Sequence, residues 1–173
     1  GYEKLIGKII YVYCTVLHFS SYLCTININK KPIHMTIAVD FDGTIVEHRY
    51  PKIGKELPFA TQTLRMLIED RHKLILWSVR EGKLLEEAVE WCRERGIEFY
   101  AVNKDFPEED LEKNQHFSRK LKADIWIDDR NIGGLPDWGT IYQMITERKT
   151  YEQILTERMS LDEPKPKKKW WQF

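Results

Sequence analysis

Asp40 and Asp42 stand two residues apart in Asp40-Phe41-Asp42-Gly43-Thr44, directly after the apolar run Thr36-Ile37-Ala38-Val39. Side chains alternate along an extended strand, so carboxylates at this spacing can face one side of the strand exit. Gly43 then lets the backbone turn away sharply without a steric cost. Such a pair suits a nucleophilic carboxylate beside a general acid/base, with a hard cation between them. The alternative is an Asp-rich turn that merely closes a strand, and the rest of the chain has to separate the two.

Three later clusters favour chemistry. His72-Lys73-Leu74-Ile75-Leu76-Trp77-Ser78 reads as a second strand ending in a hydroxyl, with Arg80 two residues on. Ser118-Arg119-Lys120-Leu121-Lys122 brings cations ahead of the apolar run Ala123-Asp124-Ile125-Trp126-Ile127, which ends in Asp128-Asp129. In an open parallel sheet, ligands sit beyond the carboxyl ends of the strands. The clusters are therefore expected to meet at one sheet edge. Several carboxylates at one edge repel one another, so a divalent cation is expected among them. Mg²⁺, which prefers oxygen ligands and keeps several waters, suits such a site.

In type, order and strand-end context these clusters resemble the four motifs of the haloacid-dehalogenase-like (HAD) superfamily, roughly from Met35 to Trp138. The resemblance implies Asp40 as a nucleophile forming an aspartyl-phosphate. It implies Asp42 as the acid/base that protonates the leaving alkoxide and later activates water. Ser78 would hold a phosphoryl oxygen. Lys120 would neutralise the phosphoryl group, with Lys122 competing for that role. Asp128 and Asp129 would ligate Mg²⁺ together with Asp40 and Asp42. Gly43, Thr44 and Arg80 are the candidates for substrate binding, and for Arg80 a surface salt bridge with an acid such as Glu81 weighs about equally. Within the family an Asp at the second position marks phosphatases and phosphomutases, so the chain looks like a phosphatase. The expected activity is Mg²⁺-dependent hydrolysis of a small phosphorylated substrate. The alternatives are a non-catalytic module that binds Mg²⁺ and phosphate, or a phosphatase acting on nucleic-acid or protein phosphoryl groups.

Around these motifs the elements alternate. Phe59 to Arg71 places Leu64, Leu67 and Ile68 on one helical face, and Leu84 to Arg95 repeats the pattern before Gly96 stops it. Phe99 to Asn103 reads as a further strand, and Gly139 to Met159 as one or two helices. The expected fold is α/β, a three-layer Rossmann-like (HAD-like) parallel sheet with helices on both faces. Residues 47 to 58 carry Pro51, Gly54 and Pro58 and form a loop too short for a cap domain, leaving minimal or no cap over the site. His48, Arg49, Tyr50 and Lys52 lie on this flap. A mutase or phosphotransferase is disfavoured, because those chemistries need a cap to exclude water. His72 and His116 lack metal-ligand spacing and read as structural or surface residues; Trp77 and Trp126 read as core.

At 173 residues, the chain has room for one α/β core. A formal net charge of zero hides a division: from Met35 to Glu163 there are 19 Lys and Arg against 26 Asp and Glu. An acidic body disfavours polyanion binding across its surface. Three scattered cysteines, Cys14, Cys24 and Cys92, form neither a disulfide framework nor a metal motif, so a cytoplasmic location is expected.

Both ends differ from the body. Residues 1–34 are apolar and aromatic. Three readings compete there: a signal or anchor, an extra hairpin, or a translated leader outside the native protein. The last is favoured because Met35 stands immediately before the first strand. The hydrolase domain is then residues 35–160. Residues 161–173 end in a basic and aromatic tail (Lys167-Lys168-Lys169-Trp170-Trp171), for which terminal disorder is the default and docking to nucleic acid or an anionic membrane the less favoured reading.

Overall fold

In the computed structural model the described residues are 34–110 and 120–162. The readings made for the N-terminal extension, for His116 and for the basic tail lie outside them.

Among the described residues eight elements follow in order: β1 (Thr36–Val39), α1 (Ala60–Glu69), β2 (Lys73–Leu76), α2 (Gly82–Arg93), β3 (Ala101–Val102), β4 (Ile125–Ile127), α3 (Trp138–Glu147) and α4 (Tyr151–Asp162). The strands form one sheet in the order β3-β2-β1-β4, and every pair is parallel. Parallel neighbours need crossover connections, which α1 and α2 supply between β1, β2 and β3. This is the α/β, Rossmann-like arrangement expected from the alternation of patterns. The chain winds outwards through β2 and β3 and then places β4 on the opposite side of β1. β1 and β4 therefore flank the point where the strand order reverses, where open α/β sheets hold their ligands.

The register brings the motifs level. Val39 pairs with both Leu76 and Ile127, so Asp40, Trp77 and Asp128 leave their strands at the same height. Two backbone bonds continue the ladder past the strand ends, Asp40 N–H to Ile127 O at 3.0 Å and Trp77 N–H to Val39 O at 2.9 Å.

Alternation along the strands divides the core. Ile37, Val39, Leu74, Leu76 and Ile127 face a large cluster built with Leu64 and Leu67 of α1, Ala88 and Cys92 of α2, and Trp138, Ile141 and Ile145 of α3. Each fully buried leucine there contributes about 1.5–3 kcal/mol over leaving it in water. Ala38 and Ile75 point to the other face, where Ala101 and Leu121 join them with Trp77, Ala123 and Trp126 at the margin. The members of this second cluster come from strands and connecting segments, none from the described helices.

Local signals set the helix ends. Asp137 caps α3, accepting from Thr140 N–H at 2.9 Å and Thr140 Oγ1 at 2.6 Å, and these bonds hold its carboxyl below the ordinary range. The start of α1 is served from outside the helix: Glu56 Oε1 accepts from Thr61 N–H and Oγ1 at 3.1 and 2.6 Å. Gly96 follows α2 with φ +74°. The Gly139–Met159 pattern resolves into two helices; α3 is anchored by three buried apolar residues, whereas α4 buries Ile154 alone. Among the described residues no helix is long and apolar enough to cross a membrane.

Candidate functional site

The turn after β1 is tightly bonded. Phe41 O accepts from the N–H groups of Ile45 and Val46 at 3.0 and 3.2 Å, and Gly43 N–H donates to Val46 O at 2.7 Å. Gly43 has φ +95°, a backbone state that favours glycine, and it serves a second end. A Cβ at this position would lie 2.7 Å from Asp129 Cγ. The missing side chain is the space that Asp129 occupies. Gly43→Ala is expected to push Asp129 aside and weaken Mg²⁺ or Mn²⁺ binding by about 10-fold or more, the scale seen when groups supporting metal ligands are lost. Calorimetric titration of the folded variant would test this, and unchanged affinity would remove Asp129 from the site.

Asp40, Asp128 and Asp129 bring one carboxylate oxygen each to within 4.8 Å of the others, a group that could hold a metal ion. Thr44, wholly buried, ties it together: its Oγ1 donates to Asp40 Oδ2 at 3.3 Å and accepts from Asp129 N–H at 3.0 Å. Trp138 of α3 fixes the same turn by donating from Nε1 to Thr44 O at 3.1 Å. Burial pushes the Asp40 carboxyl up to about 6, with the Asp128 and Asp129 carboxylates adding to the rise. Asp129 Oδ1 is buried without a hydrogen-bond partner. An all-oxygen donor set, mutual repulsion and an unsatisfied buried oxygen fit a hard divalent cation.

Asp42 is engaged differently. It is nearly inaccessible, and both oxygens are held by Arg80, with Nε to Oδ2 at 2.6 Å and Nη2 to Oδ1 at 2.7 Å. Its carboxylate is thus spent on a bidentate ion pair, and it is absent from the three-carboxylate group. The expectation of Asp42 side-chain metal ligation is corrected on this ground. Arg80, also expected at the substrate, has no accessible surface. Its remaining donors reach Pro51 O at 3.0 Å and Lys52 O at 3.1 Å, and it stacks against the Phe41 and Tyr50 rings. Arg80 clasps the flap to the acid turn, with four of its five N–H donors bonded there and no accessible surface to offer a ligand. Thr44 Oγ1 is engaged by Asp40 and Asp129, and Gly43 N–H by Val46 O, so these groups hold the site together and are not offered to a ligand.

The flap over residues 47–58 has more order than a Pro- and Gly-containing loop suggests. Glu47 N–H donates to Lys55 O at 2.7 Å and Leu57 N–H to Ile45 O at 2.9 Å, forming a narrow ribbon. It places His48 and Tyr50 on a cavity of about 830 Å³; Arg49 and Lys52 do not line it.

Asp40, Asp42, Ser78 and Asp128 line the same cavity. Ser78 is positioned by Asn103, whose side chain accepts from Ser78 N–H at 2.8 Å and donates to Ser78 O at 2.9 Å. Asn103 has φ +54°, which asparagine tolerates better than most residues. Sequence reasoning placed Asn103 at the end of a strand without a role; the signal was a polar residue leaving the carboxyl end of β3. Trp77, expected in the core, is half-buried and lines the cavity.

The expected lysines are placed differently. Lys120 Nζ lies 5.2 Å from the centre of the Trp126 ring, and Lys122 contributes its backbone N–H to Asp105 Oδ1 at 2.6 Å. Neither lines the cavity, whereas Lys104 and Arg130 do. Both follow strand ends, and neither carried a motif that would single it out. His72 is structural as expected, its Nδ1 accepting from Met35 N–H at 3.2 Å. Cys92 is buried, and burial pushes its thiol up to about 12, which makes it unreactive.

No protein-family model and no curated protein matches the chain. A solved structure of a conserved protein coded by a locus of Bacteroides thetaiotaomicron does match, at 69% identity and a TM-score of 0.67, over 70% of this chain and 98% of that one. At that identity, over nearly the whole of the solved protein, this chain belongs to the same family as the conserved Bacteroides protein.

Proposed function

We propose that the protein is a Mg²⁺-dependent phosphomonoesterase of the HAD type, acting through an aspartyl-phosphate on Asp40. The observation that carries this reading is the convergence of Asp40, Asp128 and Asp129 at the reversal point of the sheet, with Asp129 Oδ1 buried and unsatisfied. Mg²⁺ held by these three carboxylates would supply the charge neutralisation that a phosphate dianion needs beside them. Thr44 holds Asp40 Oδ2, so Oδ1 is the oxygen left to attack phosphorus. As that bond forms, the bond to the leaving alkoxide breaks. The alkoxide takes its proton from Asp42, once that carboxylate has left the Arg80 fork and gained a proton from solvent, and Ser78 and backbone N–H groups stabilise the phosphoryl oxygens. Water then returns a proton to Asp42 as its oxygen attacks phosphorus, releasing phosphate and Asp40.

Asp42 can play this part only if one of its oxygens leaves the Arg80 fork. That constraint favours a second reading, a non-catalytic module that binds Mg²⁺ and phosphate. Phosphate release from a panel of monoesters separates the two. Turnover should require Mg²⁺ and fall by about 10³-fold or more in Asp40→Asn. Absence of turnover with Mg²⁺ binding intact would establish the module instead.

A further inference from the structure

Beyond the carboxylates already described, the cavity holds an acidic wall. Glu81, after β2, and Asp105 and Glu109, after β3, line it, and the cations that line it among the described residues are Lys104 and Arg130. Among the described residues no Lys or Arg pairs with these three acids. Asp105 Oδ1 accepts the Lys122 N–H, at 2.6 Å, and Glu109 Oε2 the Asp105 N–H, at 2.7 Å. Backbone amides orient these carboxylates without cancelling their charge. Lys104 turns its ammonium to Pro107 O. With Asp42 neutralised by Arg80, five carboxylates among the described residues line the cavity against two cationic side chains. A divalent cation offsets part of the excess, and a phosphate dianion restores it. Any further anion on the substrate therefore enters a field of its own sign. Across a cavity of this size such repulsion acts within about one Debye length. The Tyr50 and Trp77 side chains also line the cavity, and aromatic faces attract cations.

We infer that the cavity selects phosphate monoesters whose body carries an amino group and turns away those with a second anionic group. This rests on the phosphomonoesterase reading and adds the substrate class. Excess acid near the phosphate weakens phosphate binding itself, and a cation within the same molecule compensates for that loss. The volume of about 830 Å³ exceeds a bare phosphate many-fold and leaves room for a body of sugar size.

Three six-carbon monoesters of similar size provide the test: glucosamine 6-phosphate, glucose 6-phosphate and 6-phosphogluconate, each with the Mg²⁺-loaded full chain. kcat/KM should fall in that order, by about 10-fold or more from first to last. The change should lie mainly in KM, because the wall does not touch the reacting atoms. Glu81→Gln with Glu109→Gln keeps shape and hydrogen-bonding capacity, and should bring the three ratios towards unity while Mg²⁺ affinity holds. Equal rates on all three, or preference for the acid, overturns the inference. Failure of the phosphatase reading looks different: neither these esters nor an aryl phosphate is hydrolysed. Calorimetric binding of the same three esters then still reads the charge preference directly.

Discussion

Arg80→Met is expected to destabilise the protein by about 3–5 kcal/mol, the range for breaking a buried ion pair from one side. The side-chain exposures of Arg80 and Asp42 are 0% and 5%, so water cannot take over when the partner is removed. The substitution loses more than the pair. Arg80 also supplies the hydrogens for Pro51 O and Lys52 O, and both carbonyls of the flap would have to find water. Removing Asp42 as well should recover much of the loss, because an apolar pair leaves no orphaned charge. The double variant Arg80→Met with Asp42→Leu is therefore expected to be more stable than Arg80→Met alone. Arg80→Lys keeps the charge but not the planar fork, and should fall between wild type and Arg80→Met. Denaturant unfolding of the four proteins measures this, and amide exchange at Glu47 and Leu57 reports the flap separately. A cost under about 1 kcal/mol for Arg80→Met would mean that the clasp is not what holds the acid turn.

The same residue shows where sequence reading stops. Strand positions, the parallel sheet and the meeting of Asp40, Ser78 and Asp128 all followed from local pattern plus one topological rule. Each needed only apolar alternation and the knowledge that strand ends share an edge. The fate of Arg80 needed a long-range fact: that the guanidinium lies within 2.7 Å of both Asp42 oxygens across 38 positions of chain. An Arg two residues past a strand looks equally suited to a ligand, a surface acid or a buried partner. Lys120 carried the same ambiguity, since a motif gives a residue's place in the chain but not its rotamer. Asn103 was missed for the opposite reason. Its importance lies in two bonds to the backbone of Ser78, and backbone partners leave no complementary residue in the sequence to notice. Gly43 was read correctly as a turn residue. Its second duty, admitting Asp129, depends on a loop 86 residues away.

Metal and pH should act on the stability of this protein in opposite directions, and Asp129 takes part in both effects. The Asp40 carboxyl rises from 3.8 to about 6 in the folded protein, from burial first and its two acidic neighbours after it. Without metal, the folded state therefore holds a proton between about pH 4 and 6 that the unfolded chain has released. This contribution is complete below pH 4 and is lost as pH rises through about 6. A shift of this size corresponds to ~3 kcal/mol, which the partial solvent access of Asp40 reduces to about 1–2. Mg²⁺ requires the ionised carboxylates, so its effect runs the other way: little stabilisation at pH 5, and about 2.7 kcal/mol at pH 8 when the ion stands at 100 times its Kd. Asp129→Asn removes one of the repelling charges and one ligand together. The metal-free variant should be more stable than wild type at pH 8, because Asp40 ionises beside one carboxylate fewer. Added Mg²⁺ should then stabilise it far less. A general packing defect would lower stability under both conditions, so the opposed signs identify Asp129 as a charge placed for a cation. If the metal-free variant is less stable at pH 8 and its response to Mg²⁺ is unchanged, the three-carboxylate site is not where the ion binds.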